Sequence, residues 1–182
     1  MGFCNDPRRR QWQNPEAILT SVRLNKGDVF IDIGCGDGYF ALPAARIVGK
    51  EGKIYGVDIN RDFVNALEKK AISEGLGNIT LKVGRAEDTL FCDSCADFVF
   101  FGIDLHDFEE PMKVLSNAWK MLKPSGRVID LDWKKEHMEI GPPFQKRFSE
   151  GKAVELIEKS GFGVESVKNS GSFHYMIVAL RR

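Results

Sequence analysis

Short, dense apolar runs alternate along this chain with longer segments whose apolar residues recur every three or four positions. Val29–Ile33 (V-F-I-D-I) and Asp97–Phe101 (D-F-V-F-F) are too short for helices and lack the in-out alternation of a half-exposed strand. That pattern predicts central parallel strands covered on both faces. Lys53–Asp58, Ile79–Val83 and Val128–Leu131 read as three further strands. Between them lie helical patterns at Tyr39–Val48, Arg61–Ser73 and Glu109–Leu122. In Arg61–Ser73, the residues Phe63, Val64, Leu67 and Ala71 share one face while Lys69 and Lys70 point outward. Asn14-Pro15-Glu16 supplies a cap and a first-turn proline for a helix to Val22, and Gly151–Ser160 reads as the last helix. Val164–Val167 and Phe173–Leu180 flank Asn169-Ser170-Gly171-Ser172, which predicts a closing antiparallel hairpin. Strands alternating with helices give an α/β, doubly wound sheet.

Between the first strand and its helix lies D-I-G-C-G-D-G, Asp32 to Gly38. Gly34, Gly36 and Gly38 open backbone conformations closed to other residues and let a ligand lie against the main chain. The spacing is G-x-G-x-G. A dinucleotide fingerprint needs G-x-G-x-x-G, and its third glycine would fall on Tyr39. Charge points the same way, because a pyrophosphate here would meet the Asp32 carboxylate. S-adenosyl-L-methionine carries no phosphate; its ammonium and sulfonium are attracted by that carboxylate. Asp32, Gly34, Cys35, Gly36 and Gly38 are therefore predicted cofactor contacts. Asp58 ends the second strand twenty residues beyond Gly38, where both its oxygens can accept ribose hydroxyls. Asn60 is available to cap the helix that follows. In G-R-A-E-D (Gly84–Asp88), Ala86 and Glu87 are placed to read the adenine edge, Ile59 to pack on its face and Arg85 to stack.

Composition narrows the class. The 182 residues are 43% hydrophobic and carry 26 basic and 26 acidic side chains, enough for one core in one domain and without the basic excess of a dedicated nucleic-acid binder. There is no apolar run long enough to span a membrane, and the polar first ten residues, with three arginines, point to a cytoplasmic protein. Cys4, Cys35, Cys92 and Cys95 are unevenly spaced and read as reduced thiols. Cys92 and Cys95 lack two further ligands at zinc spacing, so no metal site is expected. Residues 1–13 read either as a lid over the cofactor mouth or as an edge segment with Trp12 in the core. Asp132–Ser149 is the one long irregular stretch, expected to cover the substrate side.

The loop after the fourth strand, Gly102–Phe108, should face the transferable methyl, because ligands in open parallel sheets lie beyond the carboxyl ends of strands. His106 is the first candidate base there, with Asp104 and Asp132 behind it. The order of pieces resembles the class I S-adenosylmethionine-dependent methyltransferases, and within them the small quinone-pathway C-methyltransferases. The likeness rests on D-I-G-C-G-D-G, G-V-D-I (Gly56–Ile59), G-R-A-E-D, L-H-D-F-E-E-P (Leu105–Pro111) and M-L-K-P-S-G-R-V (Met121–Val128). It implies a seven-stranded sheet in the order 3-2-1-4-5-7-6 with strand seven antiparallel. It also implies backbone near Phe101 and Gly102 meeting the methionyl ammonium, a small-molecule methyl acceptor, and S-adenosyl-L-homocysteine as product. Arg85 stands where such proteins often carry an acid. A nicotinamide-dependent oxidoreductase and a cofactor-binding module without turnover are the alternatives.

Overall fold

The structure, a computed structural model, describes residues 9–182. Seven strands form one sheet: β1 (Val29–Ile33), β2 (Lys53–Asp58), β3 (Ile79–Val83), β4 (Ala96–Gly102), β5 (Leu122–Trp133), β6 (Phe162–Ser170) and β7 (His174–Arg181). Their order is β3-β2-β1-β4-β5-β7-β6; β1 to β5 are parallel and β7 runs antiparallel to both its neighbours. This is the doubly wound arrangement expected. Six helices flank the sheet: α1 (Arg9–Trp12), α2 (Pro15–Ser21), α3 (Ala41–Val48), α4 (Arg61–Ser73), α5 (Pro111–Met121) and α6 (Glu150–Lys159).

Two apolar layers result. Leu19, Ala44, Val48 and Leu67 of α2 to α4 pack on Phe30, Phe100 and Ile129 of one sheet face. Val114, Leu115, Ala118 and Ile157 of α5 and α6 pack on Phe101, Val128 and Ile177 of the other. Every residue of β1 after Val29 is buried, as a strand covered on both faces requires. Asn14 caps α2 by accepting from the Ala17 N–H at 3.0 Å, and Asn60 caps α4 by accepting from Asp62 and Phe63 at 2.9 and 3.3 Å.

Three expectations need correction. β5 starts at Leu122, not Val128, because Leu122 pairs with Ala96 and Arg127 with Phe98, so Lys123-Pro124-Ser125-Gly126 bulges within the pairing. At its other end β5 runs through Asp132 and Trp133, which pair with Tyr175 and His174, so the irregular segment begins at residue 134. Cys92 and Cys95 are joined in a disulfide. Ser94, at φ +50°, folds the four-residue turn so that their Cα atoms lie 6.0 Å apart, within bridging reach. Cys35 is the only free thiol among the described residues and is buried, so the reading of Cys92 and Cys95 as reduced thiols does not hold. Cys4 lies outside them. No helix among the described residues is long and apolar enough to cross a membrane.

Candidate cofactor and acceptor site

The carboxyl ends of β1, β2 and β4 surround the glycine turn. Gly34 and Cys35 both donate their N–H groups to the Val57 carbonyl, at 2.9 and 3.0 Å, which ties the turn to β2. Gly36 donates to Asp58 Oδ2 and Asn60 to Asp58 Oδ1, both at 2.8 Å. Each oxygen of Asp58 thus holds one backbone donor and keeps acceptor capacity for another. A Cβ on Gly36 would meet nothing within 4 Å, so this residue presents open main chain. Gly38 behaves differently. A Cβ there would strike Leu67 Cδ1 at 2.4 Å, so this glycine lets α4 pack against the turn, and it lines neither of the two hollows beside the turn.

Two hollows open beside the turn. One, of about 250 Å³, is walled by Asp58, Ile59, Arg85, Ala86, Glu87 and Glu109 among others. The second, of about 210 Å³, is walled by Arg9, Asp32, Gly36, Gly102, His106 and Trp133 among others. Gly34, Asp104 and Asp107 line both, so the two form one trough with a waist. A larger hollow of about 650 Å³ lies elsewhere, beside Asp28 and Asp97 at the amino ends of β1 and β4. Ligands in open parallel sheets bind at the opposite, carboxyl ends, which makes the trough the candidate site despite its smaller volume. Among the described residues its walls carry seven carboxyl groups against two guanidinium groups. Arg85 is one of the two and is already paired with Glu109 at 2.8 Å.

This crowding of acids has electrostatic consequences. Burial pushes the Asp32 carboxyl up to about 8, and the Asp58 charge adds to the rise; Arg9 and the Ala41 N–H oppose it. Burial, with the charges of Asp32, Asp132 and Asp58, likewise raises Asp104 well above the usual carboxylate range. Without a cationic ligand Asp32 therefore keeps its proton at neutral pH. His106, its side chain 1% exposed, places Nδ1 at 2.7 and 2.9 Å from the two Asp132 oxygens. Both are acceptors, so Nδ1 carries the proton and Nε2 is left as the basic nitrogen. The Trp133 N–H fixes Asp132 Oδ1 at 2.7 Å. Burial lowers the His106 pKa, but the hydrogen bond and charge of Asp132 outweigh it and the net direction is upward.

The predicted residues fall into three groups. Asp32, Gly34, Cys35, Gly36, Asp58, Ile59, Arg85, Ala86, Glu87, Gly102, Asp104 and His106 all line the trough. Asp132 stands behind His106. Phe101 lies one residue behind the wall, wholly buried with its ring 6.0 Å from Phe108, because alternation along β4 turns it into the α5 layer. The sequence did not single out Arg9, whose guanidinium sits 3.7 Å over the Tyr39 ring and lines the trough beside Asp32. Tyr39 in turn donates its hydroxyl to the Gln13 carbonyl, and Trp12 stacks on His174 at 5.4 Å, so α1 is clamped over this end. Arg147 was also missed. It is buried and donates to the carbonyls of Lys134, Glu136, Ile140 and Pro142 at 2.8 to 3.3 Å, which folds residues 134–149 around one side chain. R-R-R-Q-W before a capped helix hinted at the first, and a lone arginine in a long irregular stretch hinted at the second.

Comparison with known proteins agrees with this geometry. The family described as "Methyltransferase domain" matches residues 24–168. The demethylmenaquinone methyltransferase of Geobacillus kaustophilus (strain HTA426) is 31% identical over 125 residues, 69% of this chain and 53% of that protein. Its counterpart from Anoxybacillus flavithermus is 32% identical over 114 residues, 63% of this chain and 48% of that one. The chain thus spans about half the length of the curated relatives it matches. A SAM dependent methyltransferase from Aquifex aeolicus superposes with a TM-score of 0.92 at 29% identity, covering 97% of this chain and 94% of that one. The cyclase SpnF, at 15% identity and a TM-score of 0.80 over 92% of this chain and 79% of that one, shares the fold alone. On the family match and the sheet it folds into, the chain belongs to the class I S-adenosylmethionine-dependent methyltransferases.

Proposed function

We propose that the chain transfers the methyl group of S-adenosyl-L-methionine to a small-molecule acceptor whose reacting atom must lose a proton. The charge balance of the trough carries this reading: it complements a zwitterion joined to a cation and repels a pyrophosphate. Asp58 accepts the ribose hydroxyls through its remaining lone pairs. Ile59, 70% exposed at the rim of the trough, covers the adenine face, with Ala86 and Glu87 at its edge and Arg85 beside it. Asp32 receives the ammonium, Arg9 the carboxylate, and Gly34, Cys35, Gly36 and Gly102 supply the close main chain. When bound, the cofactor supplies a methyl group already activated by its sulfonium, with S-adenosyl-L-homocysteine as the product.

The protein then has to align, deprotonate and keep water out. His106 Nε2 accepts the acceptor's proton, and Asp132 holds the ring and stabilises the imidazolium that forms. Clamped α1 and the segment held by Arg147 roof the acceptor side, with Trp133 and Pro142 on the wall. The relatives' names make a reduced quinone ring the first acceptor class to test, since a ring hydroxyl must lose its proton as a neighbouring carbon becomes nucleophilic.

Transfer of labelled methyl to a panel of hydroquinones and other ring hydroxyl compounds tests the proposal. His106→Asn, which preserves a donor toward Asp132, should lower kcat by about 10²–10⁴-fold. Cofactor affinity should stay within about twofold, because this change is confined to the acceptor side. Wild-type rate should rise with pH through a pKa above the ordinary histidine value, since the neutral imidazole is the active form. Tight cofactor binding with no label transferred to any acceptor would instead favour a binding module.

A further inference from the structure

Asp104 stands at the waist of the trough, on the wall of both hollows. Its loop is held in a conformation that has to be enforced. Ile103 takes φ +71°, rare for a β-branched residue, with its N–H bonded to the Leu131 carbonyl at 2.7 Å, and the Asp104 carbonyl accepts from Asp107 at 2.9 Å. The carboxyl presses on the glycine turn: a Cβ on Gly34 would come within 2.6 Å of its Cγ and Oδ2. Oδ2 is buried and has no hydrogen-bond partner among the described residues. A buried carboxyl oxygen left unpaired is expensive, and the folded protein alone gives it no use.

A ligand reaching from the Glu87 end to the Asp32 end must pass the Asp104 carboxyl group. In S-adenosyl-L-methionine the link between ribose and amino acid is the sulfonium centre. We propose that Asp104 is the specificity-determining residue that separates the cationic donor from the neutral, demethylated product, its carboxylate lying against the sulfonium and losing that partner once the methyl has gone. The inference rests on the reading that the trough holds adenosylmethionine. The groups facing Asp104 are Asp32 of β1, Asp58 of β2, Asp132 of β5 and Arg9 of α1, with His106 and Asp107 on its own loop. Among the described residues the acids facing Asp104 outweigh Arg9, which with burial raises its carboxyl well above the usual carboxylate range, and a sulfonium beside it would favour the ionised form. Losing the methyl reverses this, and the product is held less tightly than the donor. Asp32 answers to the ammonium, which donor and product share, so its contribution cancels in a comparison of the two.

Calorimetric titration at neutral pH in two buffers of different ionisation enthalpy counts the protons released. Wild-type protein should release about one proton more on binding S-adenosyl-L-methionine than on binding S-adenosyl-L-homocysteine. In Asp104→Asn that difference should vanish, and the preference for donor over product should fall by about tenfold or more. Affinity for the product should stay within about threefold, which also reports a folded trough. Equal proton counts for the two ligands in the wild type would overturn the inference without recourse to any variant. An unchanged donor-to-product ratio in Asp104→Asn, or an equal loss of both ligands, would overturn it as well. Failure of the wild type to bind either ligand would instead sink the adenosylmethionine reading itself.

Discussion

Asp32 is 2% exposed, keeps its proton to about pH 8, and looks onto a second acid at Asp58. In the unfolded chain the same group ionises near 3.8. Between those values the folded state holds a proton that the unfolded state has released, so this residue's contribution to stability falls as pH rises from about 4 to about 8. Asp32→Asn keeps an acceptor for the Ala41 N–H and removes the titration. The ligand-free variant should be more stable at pH 7 by about 1–3 kcal/mol, a rise of about 3–10 °C in Tm, and the gain should shrink toward pH 4. It should also lose cofactor affinity, the usual trade between a strained site and stability. A thermal melt of the ligand-free variant with lower Tm than wild type at pH 7 would contradict this account of Asp32. Asp32, Gly36 and Asp58 were legible in the sequence because strand, turn and strand set their places within a few residues. The packing of Gly38 against Leu67 of α4 and of the Phe101 ring into the α5 layer was not, since both partners arrive from elsewhere in the chain.

At the scale of elements, the proposed roof of the site is built from segments with almost no regular structure. α1 is four residues long, with the Gln13 N–H donating to the Arg9 carbonyl at 2.8 Å, and is held in place by Arg9 over Tyr39, Trp12 on His174 and the Tyr39 hydroxyl on the Gln13 carbonyl. Residues 134–149 are gathered by the Arg147 guanidinium, which also lies 5.7 Å over the Trp133 ring, and His137 stacks on Phe144 at 4.6 Å. Arg147→Met keeps the aliphatic stem but leaves four carbonyls without their charged donor, a loss of about 2–4 kcal/mol local to this segment. Tryptic cleavage at Lys134, Lys135 and Lys146 should accelerate, and the acceptor KM should rise while cofactor affinity stays within about twofold. Unchanged digestion would show that the segment is held by something else. The sequence announced a long irregular stretch but not its anchor, because a buried arginine bonded to main-chain carbonyls leaves no periodic trace. The start of β5 escaped for a related reason. Lys123-Pro124-Ser125-Gly126 reads as a stop, yet Leu122 already pairs with Ala96 across the bulge.

For the whole molecule, the seven-stranded sheet closes with β7 inserted antiparallel between β5 and β6, which completes one face for α5 and α6. Alternating strands and helices predicted the parallel half, and the family resemblance supplied the strand order that the structure shows. The same topology brings the ends of β1, β2 and β4 together, so that acids distant in sequence share one trough, and the proposed function has them select its ligand by charge. Calorimetric titration of the ligand-free chain with S-adenosyl-L-homocysteine, and separately with NADH, puts that claim to its most direct test. The homocysteine product should bind at one site with Kd of about 1–100 μM, a range typical of enzyme cofactor and substrate affinities, and NADH should give no heat of binding. Saturable heat from NADH alongside none from S-adenosyl-L-homocysteine would contradict the account at its root.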